Sequence, residues 1–158
     1  MSESFFKIVL HAPEIPGNTG SLGRTCVALN AELILIKPYG FDISEKAVRR
    51  AGLDYWKHVV LKEYDHWEHF LAEEKPPRDQ IMLFEKGDGK PWHSAPYKKG
   101  CYLVFGGETR GIPDRILKDM PDNYYSFPQY SPHIRSLNLS NIGTAAAYEC
   151  LRQINAPN

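Results

Sequence analysis

Membrane-spanning and secretory segments are missing from this sequence, and so is an excess of charge of either sign. No apolar run approaches the length that spans a bilayer. The opening residues, MSESFFKIVLHAPE, have no basic residue ahead of an apolar stretch that Lys7 and His11 soon interrupt, so they predict a first strand rather than a signal peptide. Nineteen Lys plus Arg residues balance nineteen Asp plus Glu residues, so the field of the whole protein cannot concentrate a polyanion. We therefore expect no membrane partner, and any nucleic-acid binding must come from a local basic patch.

Cysteine is scarce as well. The three cysteines, Cys26, Cys101 and Cys150, are odd in number, lie far apart and form no CxxC pair. This usage predicts no disulfide framework and suits a reducing compartment, so we expect a cytoplasmic location. The same residues are expected to be small buried hydrophobes.

Several catalytic motifs are absent from the chain. There is no GxSxG elbow, no GxxxxGK[ST] phosphate loop, no GxGxxG fingerprint and no HExxH pair, which removes support for triad hydrolases, P-loop NTPases and ordinary dinucleotide-binding proteins. His66 and His69 are three residues apart, but a catalytic zinc needs three protein ligands and no further cluster is evident. An exposed or partly buried histidine pair is the favoured interpretation, and no metal is expected.

The residues that are present predict one α/β domain spanning residues 1–158. Short apolar runs rich in β-branched and aromatic residues predict six strands. They are Phe5 to Leu10, Glu32 to Ile36, Val59 to Leu61, Gln80 to Phe84, Cys101 to Phe105 and Tyr124 to Phe127. Because helical patterns alternate with these runs, the sheet should be largely parallel and flanked by helices.

Five helices are predicted between and after the strands. Four lie at Thr19 to Asn30, Ser44 to Arg50, Asp65 to Glu74 and Pro113 to Met120, and the fifth carries Leu139, Ile142, Gly143, Ala146, Cys150, Leu151 and Ile154 at helical spacing. Asp65 with Glu68 resembles a capping box, and Pro113 suits a first helical turn. The small residues Gly143, Ala146 and Ala147 would allow close packing within the chain. The polar stretch Glu85 to Gly100 is long enough to suggest a functional loop.

Three segments that follow predicted strands are candidates for a ligand site, since open α/β sheets bind ligands beyond the carboxyl ends of their strands. Asn18 and Arg24 follow the first strand at a helix start, where they form either an anion site or simply a cap and a surface arginine. Glu108 lies among glycines after Phe105, in either a ligand-contacting loop or a tight turn. Ser and Asn residues before the last helix are either ligand contacts or caps alone.

Together, the segments PEIPGNTGSLGRTC, YLVFGGETRGIP and FPQYSPHIRSLNLSNIGTAAAYE resemble the three ordered motifs of the SPOUT superfamily of RNA methyltransferases. With RRAGLDYW at Arg49 to Trp56, they are most similar to the TrmL-type tRNA (cytidine/uridine) 2′-O-methyltransferases. The resemblance implies a deep C-terminal trefoil knot and a homodimer. It also implies methyl transfer from S-adenosyl-L-methionine, with S-adenosyl-L-homocysteine as product, to the ribose of nucleotide 34 in the anticodon stem-loop of leucine tRNAs. The expected partner is therefore this RNA, and no DNA partner is expected.

The resemblance also implies roles for individual residues. The catalytic positions correspond to Asn18, Arg24, Glu108, Ser136 and Asn138, and the cofactor positions to Leu83, Gly106, Phe127, Ser136 and Leu137. Candidate RNA contacts are Arg49, Arg50, Arg110, Arg135 and Tyr148. Two alternatives stay open: methylation of another tRNA position or of ribosomal RNA, and a non-catalytic RNA-binding protein that keeps the knot.

Overall fold

The computed structural model describes residues 3–43 and 53–155, in which seven parallel strands form one sheet. The strands are β1 (Lys7–His11), β2 (Glu32–Ile36), β3 (Leu61–Tyr64), β4 (Ile81–Phe84), β5 (Lys90–Pro91), β6 (Tyr102–Gly106) and β7 (Tyr124–Ser126). Their order across the sheet is β3-β2-β1-β6-β4-β7-β5, and every neighbouring pair is parallel. The predicted α/β class with a largely parallel sheet is confirmed.

Helices cover both faces of this sheet. They are α1 (Pro16–Leu29), α2 (Trp67–Glu74), α3 (Asp114–Asp119) and α4 (Leu139–Asn155), with short 3-10 turns at Leu53–His58, Arg78–Gln80, Trp92–Ser94 and Pro121–Asn123. The helix predicted at Ser44 to Arg50 lies outside the described residues. Within the described ranges, no helix combines the length and apolar character needed to cross a membrane.

The core forms two layers because successive strand residues point to opposite faces of the sheet. On one face, buried strand residues such as Leu10, Leu35 and Phe105 pack against α1 and α4. On the other face, residues such as Val9 and Val104 pack against α2 and α3. Both sides of the central strands are therefore apolar, as expected for a parallel sheet that is covered twice.

Small residues bring α1 and α4 close together, as predicted. A Cβ atom added to Gly143 would lie 2.7 Å from Cδ2 of Leu22, so the two helices meet where Gly143 has no side chain. The hydroxyls of Thr25 and Thr144 share a hydrogen bond of 3.0 Å across the same contact. The glycine thus sets the distance between the two helices.

Buried thiols confirm the expectation for the cysteines. Cys26, Cys101 and Cys150 are all free and buried. The sulfur atoms of Cys101, directly before β6, and Cys150, in α4, are 3.6 Å apart, which is a hydrogen-bond contact rather than a disulfide.

Two predicted features near α2 are wrong. The strand predicted at Val59 to Leu61 begins later, at Leu61, because the Val59 amide donates to the Trp56 carbonyl and closes a 3-10 turn. The capping box of Asp65 with Glu68 does not form. His66 is the N-cap instead, and its Nδ1 accepts the His69 amide at 3.1 Å.

The stretch predicted as a functional loop is partly structural. Residues 85–100 contain β5 and the turn Trp92–Ser94, which sequence patterns did not predict because β5 has only two residues. Tyr97 is buried in the core and donates its hydroxyl to the Trp92 carbonyl at 2.7 Å. Only the beginning of the stretch, Glu85 and Lys86, reaches the cleft described below.

The edge strands of the sheet are short and carry charge or proline. Among the described strands, β3 forms one edge and exposes Lys62 and Glu63, and β5 forms the other with Lys90 and Pro91.

Candidate functional site

Strand order places a crevice at the carboxyl ends of β1 and β6. His11 pairs with Gly106 where both strands end. The chain leaves β1 toward β2 on one side of the sheet and leaves β6 toward β7 on the other side. A reversal of this kind is where open α/β sheets bind ligands. The candidate loops after β1 and β6 therefore meet at this point.

A cleft opens beside the crevice, between the loops that follow β4, β6 and β7. It is lined by Phe84, Glu85, Lys86, Phe105, residues 106–111, Phe127, Gln129, Arg135, Ser136, Leu137, Leu139 and Ile142. Four predicted cofactor positions, Gly106, Phe127, Ser136 and Leu137, are among these residues. The walls combine aromatic and aliphatic side chains with exposed loop backbone, which is typical of a small-molecule site.

Glu108 binds the start of α1. Its Oε1 accepts the Glu14 amide at 2.7 Å, and its Oε2 accepts the Ile15 amide and Asn18 Nδ2, both at 3.1 Å. Ile15 is the N-cap residue of α1, at the helix end where amides have no partner within the helix, and a carboxylate there also suits the helix dipole. The loop after β6 is in this way tied to the loop after β1.

Asn18 and Asn138 extend this contact to the last helix. Asn138 Nδ2 lies 3.4 Å from Asn18 Oδ1, and Asn138 Oδ1 accepts the Asn141 amide at 3.1 Å and the Ser140 hydroxyl at 2.6 Å. Asn138 is therefore the cap of α4, and one face of its amide also contacts Asn18. Glu108, Asn18 and Asn138 form a hydrogen-bonded chain through three of the candidate segments.

Arg24 lies apart from this chain. It is six residues beyond Asn18, about 9 Å along the helix axis. Its side chain is exposed, with the guanidinium carbon 5.1 Å from the centroid of the Tyr55 ring. This position suits contact with a ligand that approaches from solvent.

The predicted RNA contacts are divided among three places. Arg110 and Arg135 line the cleft. Tyr148 is 55% exposed on the outer face of α4, away from the residues that line the cleft. Arg49 and Arg50 lie outside the described residues.

The histidine pair near α2 serves as a cap. His66 accepts the His69 amide, and His69 Nδ1 in turn accepts the Asp65 amide at 3.0 Å. Within residues 3–43 and 53–155, no group of three or more His, Cys, Asp or Glu side chains is placed to hold a metal ion.

Comparison with known proteins matches residues 6–148 to the SpoU rRNA Methylase family. The chain belongs to the SpoU methylase family. The tRNA (cytidine(34)-2′-O)-methyltransferase of Saccharophagus degradans is 43% identical over 152 residues, covering 94% of this chain and 96% of the relative. A structure solved for insight into the 2-OH methylation of C/U34 on tRNA superposes with a TM-score of 0.85 at 40% identity, covering 94% of this chain and 95% of the other.

A more distant SpoU methyltransferase shares only the fold. AviRb from Streptomyces viridochromogenes, solved in complex with AdoMet, has a TM-score of 0.81 at 23% identity, covering 97% of this chain and 62% of AviRb. The predicted resemblance to TrmL-type proteins and the predicted fold class are confirmed by these matches together.

In this SpoU family member, one predicted cofactor residue points away from the cleft. Leu83 is fully buried on the sheet face that packs against α2 and α3. Its neighbour Phe84 points to the opposite face and lines the cleft instead. The side chain of Leu83 therefore forms core rather than cleft wall.

This chain also uses a carboxylate that sequence reasoning did not assign. Glu85 follows β4, and its two oxygens accept the Ile112 amide at 2.6 Å and the Lys86 amide at 3.0 Å. Lys86 in turn donates to the Arg135 carbonyl. The two residues hold the loops after β4, β6 and β7 together. The only sequence signal for Glu85 was that an acidic residue directly follows a buried strand.

Proposed function

We propose that this protein transfers a methyl group from S-adenosyl-L-methionine to the ribose 2′-hydroxyl of nucleotide 34 of tRNA. The observation that carries the proposal is the cleft formed by the loops after β4, β6 and β7, which adjoins the chain of Glu108, Asn18 and Asn138. Relatives of similar length and about 40% identity, with names that specify this reaction, support the choice of substrate.

The residues of the cleft fit the cofactor. Phe84, Phe127 and Leu137 offer apolar surface for a purine ring, and the carboxylates of Glu85 and Glu108 suit a cationic group. The loop after β6 folds back on Gly106 so tightly that a Cβ atom there would lie 2.6 Å from Cα of Gly111. When bound, the cofactor supplies a methyl group on a positively charged sulfur.

The chain itself must orient the ribose hydroxyl and bind the RNA. Arg24 anchors an RNA phosphate, and its planar guanidinium is suited to two parallel hydrogen bonds. A guanidinium stays protonated in proteins, so Arg24 cannot take the proton of the hydroxyl. In this proposal the ribose hydroxyl loses its proton late in the reaction, to water or to an RNA phosphate.

Glu108, Asn18 and Asn138 act as a positioning unit in this proposal. Glu108 already accepts three hydrogen bonds, so it holds the loops rather than receiving a proton. Asn18 and Asn138 present amide groups at the meeting point of α1 and α4. Ser136 lines the cleft beside them and is exposed to an entering ribose.

The RNA partner is the anticodon stem-loop of a tRNA, and we propose leucine tRNAs on the strength of the motif resemblance. Because the formal net charge is zero, binding relies on the cations near the cleft, Arg110 and Arg135, together with Arg24. The proposed location is the cytoplasm, which the three free thiols suit.

We also propose that the protein is a homodimer with a knotted chain. Exposed side chains on α1 and α4, including Ala28, Ala145 and Tyr148, offer a surface for a second copy. The order of the sheet supports a trefoil knot, since β4 lies between β6 and β7 although it precedes both. Light scattering of the purified protein tests the dimer, and tracing the chain in a crystal structure tests the knot.

The deciding experiment measures transfer of labelled methyl groups to total tRNA, followed by identification of the modified nucleoside and tRNA. We expect a 2′-O-methylated cytidine or uridine at position 34, abolished by Arg24→Ala. Arg115→Ala is the matched control, because Arg115 forms an exposed ion pair with Glu68 away from the cleft. Methylation only at another tRNA position or in ribosomal RNA would replace the proposed substrate. Cofactor binding without transfer to any RNA would support the non-catalytic alternative.

A further inference from the structure

We propose that Glu14 is a positioning residue that locks the cofactor loop, residues 106–111, onto the start of α1. The proposal rests on the proposed function for its link to catalysis, but the contact itself is seen in the structure. Glu14 lies in the loop after β1, and nothing in the sequence patterns assigned it a role.

The Glu14 carboxylate binds the cofactor loop directly. Its Oε2 accepts the Thr109 amide at 2.7 Å and the Arg110 amide at 3.3 Å, and its Oε1 accepts the Thr109 hydroxyl. Hydrogen bonds from the Thr109 hydroxyl and amide lower the pKa of Glu14 below its ordinary value. The side chain is therefore ionised at neutral pH and is a poor proton acceptor.

A second carboxylate makes the opposite contact. Glu108, in the cofactor loop, accepts the amides of Glu14 and Ile15 and the side chain of Asn18. Each loop therefore gives a carboxylate to the other, and we name these two residues the carboxylate clasp. Removing either member leaves amides of the opposite loop without their acceptor.

The two loops of the carboxylate clasp are tightly packed at Gly107. A Cβ atom at Gly107 would lie 2.6 Å from the Ala12 carbonyl oxygen and 2.7 Å from Glu14 Oε2. Ala12 has a φ of 50°, a left-handed conformation that turns the chain after β1 toward Gly107. The two loops are packed together so that a shift in one must move the other.

Since residues 106–111 line the cofactor cleft and Asn18 belongs to the proposed ribose site, the clasp couples the two. Cofactor binding orders the loop after β6, and the contacts of Glu14 with that loop then also fix the start of α1. Glu14 therefore affects turnover as well as cofactor affinity, without touching either substrate.

The experiment compares Glu14→Ala with Glu14→Gln. A glutamine can keep every contact, since its oxygen can accept the two amides while its amide group donates to the Thr109 hydroxyl oxygen. Glu68→Ala is the control, because it removes an exposed carboxylate that pairs with Arg115 outside the cleft. We expect Glu14→Ala to weaken S-adenosyl-L-homocysteine binding and to lower kcat, each by about tenfold, because the three hydrogen bonds to the cofactor loop are lost. Glu14→Gln should recover most of both.

Hydrogen exchange supplies a readout that does not depend on methyl transfer. In the wild type, S-adenosyl-L-homocysteine should slow amide exchange in residues 106–111 and also in residues 13–18. In Glu14→Ala the protection of residues 13–18 should weaken, and the amides of Thr109 and Arg110, which lose their acceptor, should exchange faster than in the wild type. Equal exchange of the Thr109 and Arg110 amides in both proteins would overturn the proposal. A Glu14→Gln variant as inactive as Glu14→Ala would overturn it too, because it would make Glu14 a proton acceptor. A wild type that binds S-adenosyl-L-homocysteine but methylates no tRNA would refute the proposed function and leave the exchange test of the clasp intact.

Discussion

Replacing Gly106 by alanine tests the packing on which the cofactor cleft depends. The added Cβ would lie 2.6 Å from Cα of Gly111 and closer still to the Gly111 carbonyl carbon and the Ile112 nitrogen. Ordinary contacts between carbon atoms are about 3.5–4.0 Å, so backbone must move by about 1 Å or more. That movement also strains the hydrogen bond of 2.6 Å from the Ile112 amide to Glu85. We expect the free energy of unfolding to fall by about 3 kcal/mol, the upper part of the range for overpacking.

The matched control is Gly17→Ala, since a Cβ at Gly17 meets nothing within 4 Å. This change in the first turn of α1 should leave the free energy of unfolding within about 0.5 kcal/mol of the wild type. Urea denaturation gives the two free energies, and calorimetric titration with S-adenosyl-L-homocysteine shows whether the cleft survives in Gly106→Ala. If Gly106→Ala matches the control in both measurements, Gly106 does not pack against Gly111 and Ile112 as described.

Three further predictions concern residues of the site and the core. Asn138→Ala should lower the free energy of unfolding by about 1 kcal/mol through loss of the α4 cap, while Asn138→Ser should keep most of it; equal effects in urea denaturation would contradict the capping role. Arg24→Lys should lower kcat on tRNA by about tenfold, since an ammonium group cannot make the two parallel hydrogen bonds of a planar guanidinium. Near-normal turnover would refute the anchoring role. Burial would raise the pKa of Glu74, but hydrogen bonds from Tyr64 and Tyr102 and the charge of Lys62 outweigh it and lower that pKa. Its stabilising contribution is therefore complete above the ordinary value of 4.5 and lost as pH falls through the lowered pKa, so Glu74→Gln should flatten the acid limb of stability measured against pH.

Sequence patterns could predict the sheet because β-branched and aromatic runs identify strands on their own. They could not say which face of β4 each residue occupies, since Ile81–Phe84 is apolar and buried throughout and shows no alternation. Leu83 was named as a cofactor position through the family resemblance, whereas the side chain that lines the cleft is that of Phe84. The start of α1 was placed at Thr19 although Pro16, at the first helical position, is a recognised start signal.

Residues of the candidate site could be predicted where a single segment of the sequence identifies them. Asn18, Glu108 and Asn138 follow strands or precede a helix, and the family motifs include them. The partners of Glu14 could not be predicted, because the contact with Thr109 spans 95 positions and exists only once β1 and β6 are paired in register. The cap formed by His66 was missed for a different reason, as histidine is not among the residues that usually cap helices.

The edges of the sheet determine how copies of this protein can meet. Pro91 has no amide hydrogen to offer a new strand, and the outer strand at the other side, β3, is four residues long and exposes Lys62 and Glu63. Extension of the sheet from one molecule to the next is therefore disfavoured at both ends. In the proposed dimer a second copy would therefore dock on helices rather than on a sheet edge, and each sheet would stay within one chain.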